Sequence, residues 1–402
     1  MKISVFSDLH FGVNANTKLE NDCFENAEEA IDKSLDSDII IICGDIFDSR
    51  YPRPDTIAKA TKILSKPLFK HSEIKIVSTI GKKIEKIHER ILNGIPIIAI
   101  HGTHDRLTKD QINAVQLLDT AGILFHLHLN GIVLEKDGVK IAIQGMSGVP
   151  ERYAGQILEE WSPKPIEGCY NILLLHQSID PFIYSPQEPP TISIDSLPEG
   201  FDLIINGHIH KSTLEIFQTK KILLPGSIIV TQFKKEEQDA KGIWKIEIPK
   251  EKIYFEKLLN TRKFFYEEIH IDKNKSIKSQ IKEILQKFVD DQKPPVVRLK
   301  IYGSSLSTLD KEIKSIEDEY KDKIILKYSK HESNEQVKRK TDYLRKAREG
   351  SLSIDEMGIK ILVDNLNDLN FDNKIDSAKL FEELSSGNIE EAEILLKGEN
   401  SD

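Results

Sequence analysis

Two runs rich in β-branched residues, DIIIIC at 38–43 and IPIIAI at 95–100, are apolar almost without alternation; a shorter β-rich run, KISVF at 2–6, precedes them, and helix-like stretches separate all three. A strand that is apolar on successive residues must be covered on both faces, so these runs predict a buried, largely parallel sheet. Each run stops at a polar cluster: Ser7-Asp8, Gly44-Asp45, and Gly102-Thr103-His104-Asp105. In such sheets ligands bind beyond the carboxyl ends of the strands. The chain thus concentrates chemistry where this kind of fold builds its site.

From about residue 123 the strand-like runs become shorter and are separated by Gly and Pro, which predicts a second, more antiparallel sheet packed on the first and ending near 258. Residues 264–330 read strand, helix, strand, helix, strand, a small separate α/β unit. A polar, basic stretch follows to about 352, and 353–397 carry apolar residues at helical spacing, opening on the capping-box pattern Ser353-x-x-Glu356. The expected boundaries are therefore 1–258, 259–330, 331–352 and 353–402. A segment at about 70–93 looks inserted and has no assigned role.

Composition narrows the class. With 402 residues, 39% of them hydrophobic, there is apolar material for two or three domains. Cys23, Cys43 and Cys169 lack C-x-x-C spacing and support neither a disulfide framework nor a structural zinc site. Asp8 and His10 interrupt any signal-peptide core, and the apolar runs are too short to cross a bilayer. The expectation is a soluble cytoplasmic protein with no membrane partner. A formal net charge of −9 argues against a surface coated in positive charge, and leaves room only for a local basic groove.

Five clusters share one chemistry: Asp8-Leu9-His10, Gly44-Asp45-Ile46-Phe47-Asp48, Gly102-Thr103-His104-Asp105, His176, and Gly207-His208-Ile209-His210. Asp and His are the ligands that hold Mn²⁺, Fe²⁺ or Zn²⁺ in sites with open positions. Glycine before a cluster lets the backbone turn and approach closely. Any one cluster is weak evidence, whereas five in order, each after an apolar strand, are a strong signal.

The order D-x-H, G-D-x-x-D, G-x-H-D, H, G-H-x-H resembles that of the calcineurin-like metallophosphoesterases. Ser49-Arg50-x-Pro52-x-Pro54, LPEGFDLIINGHIHK at 197–211 and LPGS at 224–227 narrow the resemblance to the nuclease subunit of the DNA double-strand-break repair complex, the SbcD and MRE-eleven family. It covers about residues 1–330 well and the tail only in kind. The implied fold is α/β: a two-sheet sandwich flanked by helices, with a small α/β DNA-binding cap and a C-terminal helical tail.

The resemblance also implies roles. Two Mn²⁺ per subunit would share a bridging carboxylate, with Asp8, His10 and His210 on one ion, His176 and His208 on the other, and Asp45 between them. His104 would stand beside the scissile phosphate, with Asp105 orienting it, and Asp48 would fix a histidine ligand. The family's Asn is Thr103 here. Thr103 either ligates weakly or leaves a water to complete the shell, so the second ion is expected to bind less tightly. In this chemistry two ions about 3.5–4 Å apart activate water and clamp the phosphodiester.

Other residues read as structure. His126 and His128 lie in the alternating run ILFHLHL and are expected on the surface, as are His71, His88, His101 and His270; Cys43 reads as a small buried hydrophobe. Arg50, Arg106 and Lys211 are placed to meet an anionic substrate. In the cap the candidates for DNA are Arg262, Lys263, Lys293, Arg298 and Lys300. Lys338-Arg339-Lys340 with Arg345, Lys346 and Arg348 read equally well as phosphate contacts or as a solvated linker.

The expected function is a dimetal DNA nuclease of break repair, a 3′→5′ double-strand exonuclease and single-strand endonuclease. Its partners would be DNA ends, a second copy of the chain, and an SMC-like ABC ATPase docked on the tail through Ile359, Leu362, Val363, Leu366, Leu380, Phe381 and Leu384. It would be chromosome-associated. Competing readings are a metallophosphatase or nucleotide phosphodiesterase of the same fold, and a largely structural DNA-end clamp with weak nuclease activity.

Overall fold

The three apolar runs form β1 (Lys2–Phe6), β2 (Ile39–Cys43) and β4 (Ile97–Ile100), which pair in parallel with Val5 beside Ile41 and Ile41 beside Ile98. This computed structural model describes residues 1–81, 88, 91, 93–108, 111–184, 190–272, 274–289, 293–303 and 309–332. In the C-terminal part it describes 358–359, 362–363, 366, 376–385 and 388–397. The basic stretch from 333 to 352 and most of 353–376 lie outside the described residues.

The first sheet adds β5 (Phe125–His126), β14 (Gly242–Glu247) and β15 (Lys252–Lys257), in the order β15-β14-β1-β2-β4-β5. The second contains β3 (Lys75–Ile80), β6 (Asn130–Lys136), β7 (Val139–Met146), β8 (Tyr170–Leu175), β11 (Leu203–Asn206), β12 (Thr213–Phe217) and β13 (Lys220–Leu224). Its order is β12-β13-β11-β8-β7-β6-β3. A short parallel pair, β9 (Ile179–Asp180) and β10 (Ile192–Ser193), stands apart.

Two expectations change. The second sheet is evenly mixed rather than predominantly antiparallel: β7, β8, β11 and β13 run parallel, with α4 (Glu151–Trp161) returning the chain between β7 and β8 and β12 returning it between β11 and β13. The strands after 123 do not all join it, since β5, β14 and β15 close the edges of the first sheet. The segment at 70–93 contributes β3, an edge strand antiparallel to β6.

Alternation sorts the apolar residues into layers. Ile3, Val5, Ile39, Ile41, Ile98 and Ile100 meet Ile132, Ile141, Ile172, Leu174 and Ile205 between the sheets. Phe6, Ile40, Ile42 and Ala99 face α1 (Asp22–Ser34), α2 (Pro54–Leu64) and α3 (Ala114–Thr120) on the outside of the first sheet. Met146, Leu173, Leu175 and Ile204 face α4 on the outside of the second. The result is a helix–sheet–sheet–helix stack, with no polar face on the central strands.

β16 (Phe264–His270), β17 (Val296–Gly303) and β18 (Ile325–Glu332) form a three-strand sheet in chain order. Helices α5 (Ile277–Leu285) and α6 (Leu309–Tyr320) interrupt it, and α7 (Ser377–Ser385) and α8 (Ile389–Lys397) pair near the C-terminus. By contacts the chain divides into two units. The first is Met1–Glu267 with Glu283–Arg298 and Glu317–Lys327; the second is Glu268–Lys282, Leu299–Ile316 and Tyr328–Asp402. Among the described residues no helix is long and apolar enough to cross a membrane.

Candidate metal centre

The loops leaving β1 and β2 run side by side, with Asp8 N donating to Gly44 O at 3.1 Å and His10 N to Asp45 O at 3.0 Å. Thr103 and His104 follow β4, His176 follows β8, and His208 and His210 follow β11. The parallel strands of both sheets therefore present their carboxyl ends to one place. Asp8, His10, Asp45 and His208 have φ of 54°, 46°, 45° and 72°, a left-handed conformation that costs about 1–3 kcal/mol per side-chain-bearing residue. Such strain persists only where the surrounding packing fixes it.

Two glycines are there for close approach. A Cβ on Gly44, whose φ is +93°, would sit 2.2 Å from His176 Nδ1, and one on Gly102 would sit 2.0 Å from Asp45 Oδ1. Neither position admits a side chain without moving a candidate ligand.

Three sets of donor atoms converge, each within 4.8 Å: Asp8, His10 and His210; His10, Asp45 and His104; and Asp45, His176 and His208. The donor chemistry suits a divalent cation. Both oxygens of Asp8 and the Nε2 of His10 are buried without a hydrogen-bond partner. A buried carboxylate with no donor is costly unless a cation meets it. His176 Nε2 lies 3.2 Å from Asp45 Oδ2 and 4.0 Å from Asp8 Oδ1. These residues therefore fit a pair of ions, with Asp45 common to the second and third sets.

Electrostatics without a metal show how strongly these groups act on one another. Burial would raise the Asp45 carboxyl, but His176, His10 and His104 outweigh it and hold it below the ordinary carboxylate range. Burial would lower His176, yet Asp45 and Asp8 push it up to about 10. Burial and the neighbouring His176 bring His208 down to about 3.

The outer nitrogens are held as well. His176 Nδ1 donates to Cys43 O at 2.7 Å, which turns its Nε2 inward as the nitrogen an ion would meet in place of a proton. His10 Nδ1 lies 3.2 Å from Asp48 Oδ1, the place expected for Asp48. His210 Nδ1 meets Thr231 Oγ1 at 2.9 Å and Glu237 Oε1 at 3.3 Å. His208 Nε2 is 3.8 Å from Glu151 Oε1, and the Tyr184 ring stacks on its imidazole at 4.5 Å. Glu151, Tyr184 and Glu237 had no sequence signal; they lie in loops and helix starts without motif spacing.

Asp105 requires correction. Its carboxylate does not orient His104: it accepts from Ile46 N at 3.0 Å, Phe47 N at 2.8 Å and Gly102 N at 2.9 Å. On a tight turn adjacent side chains diverge, and Asp105 is used to tie the second motif to the third. His104 Nδ1 instead donates to the main-chain oxygen of Asp48 at 2.8 Å. Burial and Asp45 raise the Asp105 carboxyl to about 6, against the three amides.

A cavity of about 570 Å³ opens beside these groups, lined in part by Arg50, Thr103, His104, Arg106, Tyr184 and His208. Arg50 and Arg106 thus share its wall with His104, while Lys211 is exposed and does not line it.

The surface assignment of three histidines also fails. His101 and His126 are 7% and 6% exposed, joined by a 2.9 Å hydrogen bond, and half-buried His128 packs against His101 at 5.4 Å. Mutual hydrogen bonding and Ser147 Oγ, 3.2 Å from His126 Nε2, make that burial tolerable. His71, His88 and His270 are exposed, and Cys43 is fully buried.

With this geometry in hand, comparison with known proteins defines the class. The sequence model of the calcineurin-like phosphoesterases matches residues 1–212, over half of the chain, and the chain belongs to that family. It is further similar to proteins named for break repair. The double-strand break repair protein MRE11 of Encephalitozoon cuniculi is 23% identical over 309 residues, 72% of this chain and 53% of that protein. That of Arabidopsis thaliana is 24% identical over 372 residues, 77% of this chain and 51% of the other. The DNA double-strand break repair protein Mre11 of Archaeoglobus fulgidus is 24% identical over 246 residues, covering 57% and 50%. The chain spans about half the length of the curated relatives it matches.

Proposed function

We propose that this chain is a metal-dependent DNA nuclease of double-strand-break repair. One observation carries the reading: seven Asp and His side chains from five strand ends converge beside a cavity whose wall includes His104, His208 and two arginines. Asp8, His10 and His210 would hold one ion and His176 and His208 the other, with Asp45 shared; Thr103 lies on the cavity wall, and it would ligate the second ion weakly or leave a water to complete that ion's coordination. Mn²⁺ is the ion proposed.

When bound, the two ions would supply Lewis-acid charge on the phosphodiester and a nucleophile at neutral pH. The remaining work belongs to side chains. Arg50 and Arg106 bind and orient the phosphate from the cavity wall. His104 is held through Nδ1, so Nε2 is the atom that holds a proton or charge beside the leaving oxygen. Asp48, Cys43 O and Glu237 fix the imidazoles so that no reorganisation is needed at the moment of reaction.

The finer activity would be 3′→5′ exonuclease on duplex ends and endonuclease on single strands. The chain would act as a homodimer, with 259–330 capping the site on DNA and the helical tail from 353 docking an SMC-like ABC ATPase on the chromosome. Cleavage of linear duplex DNA with Mn²⁺, wild type against His104→Ala, tests the nuclease. Equal cleavage by both overturns the mechanism, and turnover of phosphomonoesters without cleavage of DNA transfers the site to a phosphatase. Truncation near 350 should abolish ATPase binding and spare hydrolysis of small phosphodiesters.

A further inference from the structure

His208 and His210 lie two residues apart, and a carboxylate distant in sequence touches one of them and ties down the loop that leads to the other. Glu237 is 4% exposed, and its Oε1 lies 3.3 Å from His210 Nδ1. The same oxygen accepts from Thr231 N at 3.2 Å and from Thr231 Oγ1 at 3.3 Å, and that hydroxyl is itself 2.9 Å from His210 Nδ1. The other oxygen accepts from Gln232 N at 2.7 Å and Phe233 N at 2.8 Å. Gln232, fixed in this way, donates its side-chain amide to the Tyr184 hydroxyl. The Tyr184 ring in turn stacks on His208, with centroids 4.5 Å apart and planes 30° from parallel. Behind the carboxylate, Lys241 Nζ stands 3.9 Å from Oε1 and donates to Ser227 Oγ at 2.9 Å.

We infer that Glu237 is a positioning residue for both imidazoles of the Gly207-His208-Ile209-His210 turn, acting directly on His210 and through Gln232 and Tyr184 on His208. The direct route fixes the tautomer: a proton on Nδ1 shared with Glu237 leaves Nε2, 3.8 Å from Asp8 Oδ1, as the inward lone pair. The indirect route fixes a ring plane. A phenol tethered at its hydroxyl cannot slide, so the imidazole packed on it keeps one orientation. The two ions are held by different histidines, and Glu237 therefore couples their sites. This inference rests on the ligand set proposed above.

The competing account is that Glu237 only staples the loop at 231–233. Calorimetric Mn²⁺ titration of the full chain, with the unfolding midpoint measured beside it in chelator, separates the two. Wild type that binds no ion defeats the ligand set itself and leaves nothing for Glu237 to position. Given two ions in wild type, Glu237→Gln is expected to weaken the ion held with His210 about 10–100-fold, the usual loss when an outer partner of a ligand is removed, and the ion held with His208 by less than about tenfold through the indirect route. Tyr184→Phe keeps the ring and drops the tether, and is expected to weaken the other ion only, by less than about tenfold. Glu237→Asp, which keeps the charge, should recover part of the loss and carries the test if the Gln variant does not fold. A folded Glu237→Gln protein with a lowered midpoint in chelator but wild-type affinity for both ions overturns the inference. Unchanged affinities in Tyr184→Phe remove the route through His208.

Discussion

The main-chain oxygen of Asp48 accepts a hydrogen bond from His104 Nδ1 at 2.8 Å, while the carboxylate of the same residue lies 3.2 Å from His10 Nδ1. One residue thus holds two imidazoles through different atoms, and substitution can separate them. Asp48→Ala removes only the carboxylate. It should weaken metal binding about 10–100-fold, the ordinary cost of losing a ligand's outer partner. At saturating Mn²⁺ the rate per loaded enzyme should stay near wild type. Paired calorimetry and single-turnover hydrolysis of a small phosphodiester check this, and a large loss in rate at full metal occupancy counts against it.

His104→Ala should show the opposite pattern. The imidazole rests on a carbonyl, and its edge meets the His10 ring with centroids 5.0 Å apart. Loss of a positioned proton donor typically costs about 10²–10⁴ in rate. Metal affinity should change much less than in Asp48→Ala, because His10 with His210, and His176 with His208, remain in place. A His104→Ala protein that loses both ions would make His104 a ligand instead.

Asp8 exposes a conflict between stability and function. Both of its oxygens are buried without a hydrogen-bond partner. The imidazoles of His176 and His210 stand 4.0 and 3.8 Å from Oδ1, too far to hydrogen-bond it, so its desolvation is only partly offset and a neutral isostere avoids that cost. Asp8→Asn should therefore raise the stability of the metal-free protein by about 1–3 kcal/mol and abolish the stabilisation that Mn²⁺ gives to wild type. Denaturant unfolding in chelator and in Mn²⁺ gives both numbers; a less stable metal-free variant shows that the carboxylate is already satisfied.

Thr103 lies on the wall of the same cavity, where a longer side chain would reach further. Thr103→Asn adds a carbonyl oxygen, and should tighten the weaker Mn²⁺ step about tenfold, or about 1.4 kcal/mol. Two equally tight steps in wild type would remove the premise.

The ligand residues were legible because each follows a continuous apolar strand, and parallel strands must bring their carboxyl ends together. As candidates, Asp8, Asp45 and His210 stood on this together with their clusters, glycine-led for Asp45 and His210, whereas His176 stood on its place between the third and fifth motifs. Glu237, Glu151 and Tyr184 were not legible, since an outer partner has to satisfy distance alone and any loop can deliver it. Adjacency misled twice. Asp105 follows His104 yet serves two amides of the second motif and one of its own turn, and His126 alternates like a surface residue yet is buried against His101. Sheet membership was also hidden: β14 has the alternation of either sheet, and only its pairing with β1 decides.

Arg262 read as a candidate for DNA, but its guanidinium is committed. Nε and Nη2 donate to the two oxygens of Asp22 at 2.6 and 2.8 Å, and Nη1 donates to Pro294 O at 2.7 Å. Both side chains are mostly buried, at 11% and 16% exposed. Lys293, another candidate, stands 3.2 Å from Asp22 and 2.7 Å from Glu25. Removing one partner of such a pair strands the other, at a cost of about 3–5 kcal/mol. Lys293 remains near Asp22, so Arg262→Ala should fall at the lower end, about 3 kcal/mol. Once folded, the variant should bind duplex DNA with an affinity within about twofold of wild type and the same dependence on salt, because a cation already neutralised by protein releases no counterion. Urea unfolding and anisotropy titrations at two salt concentrations measure the two effects. A shallower salt slope in Arg262→Ala would return this residue to the DNA surface.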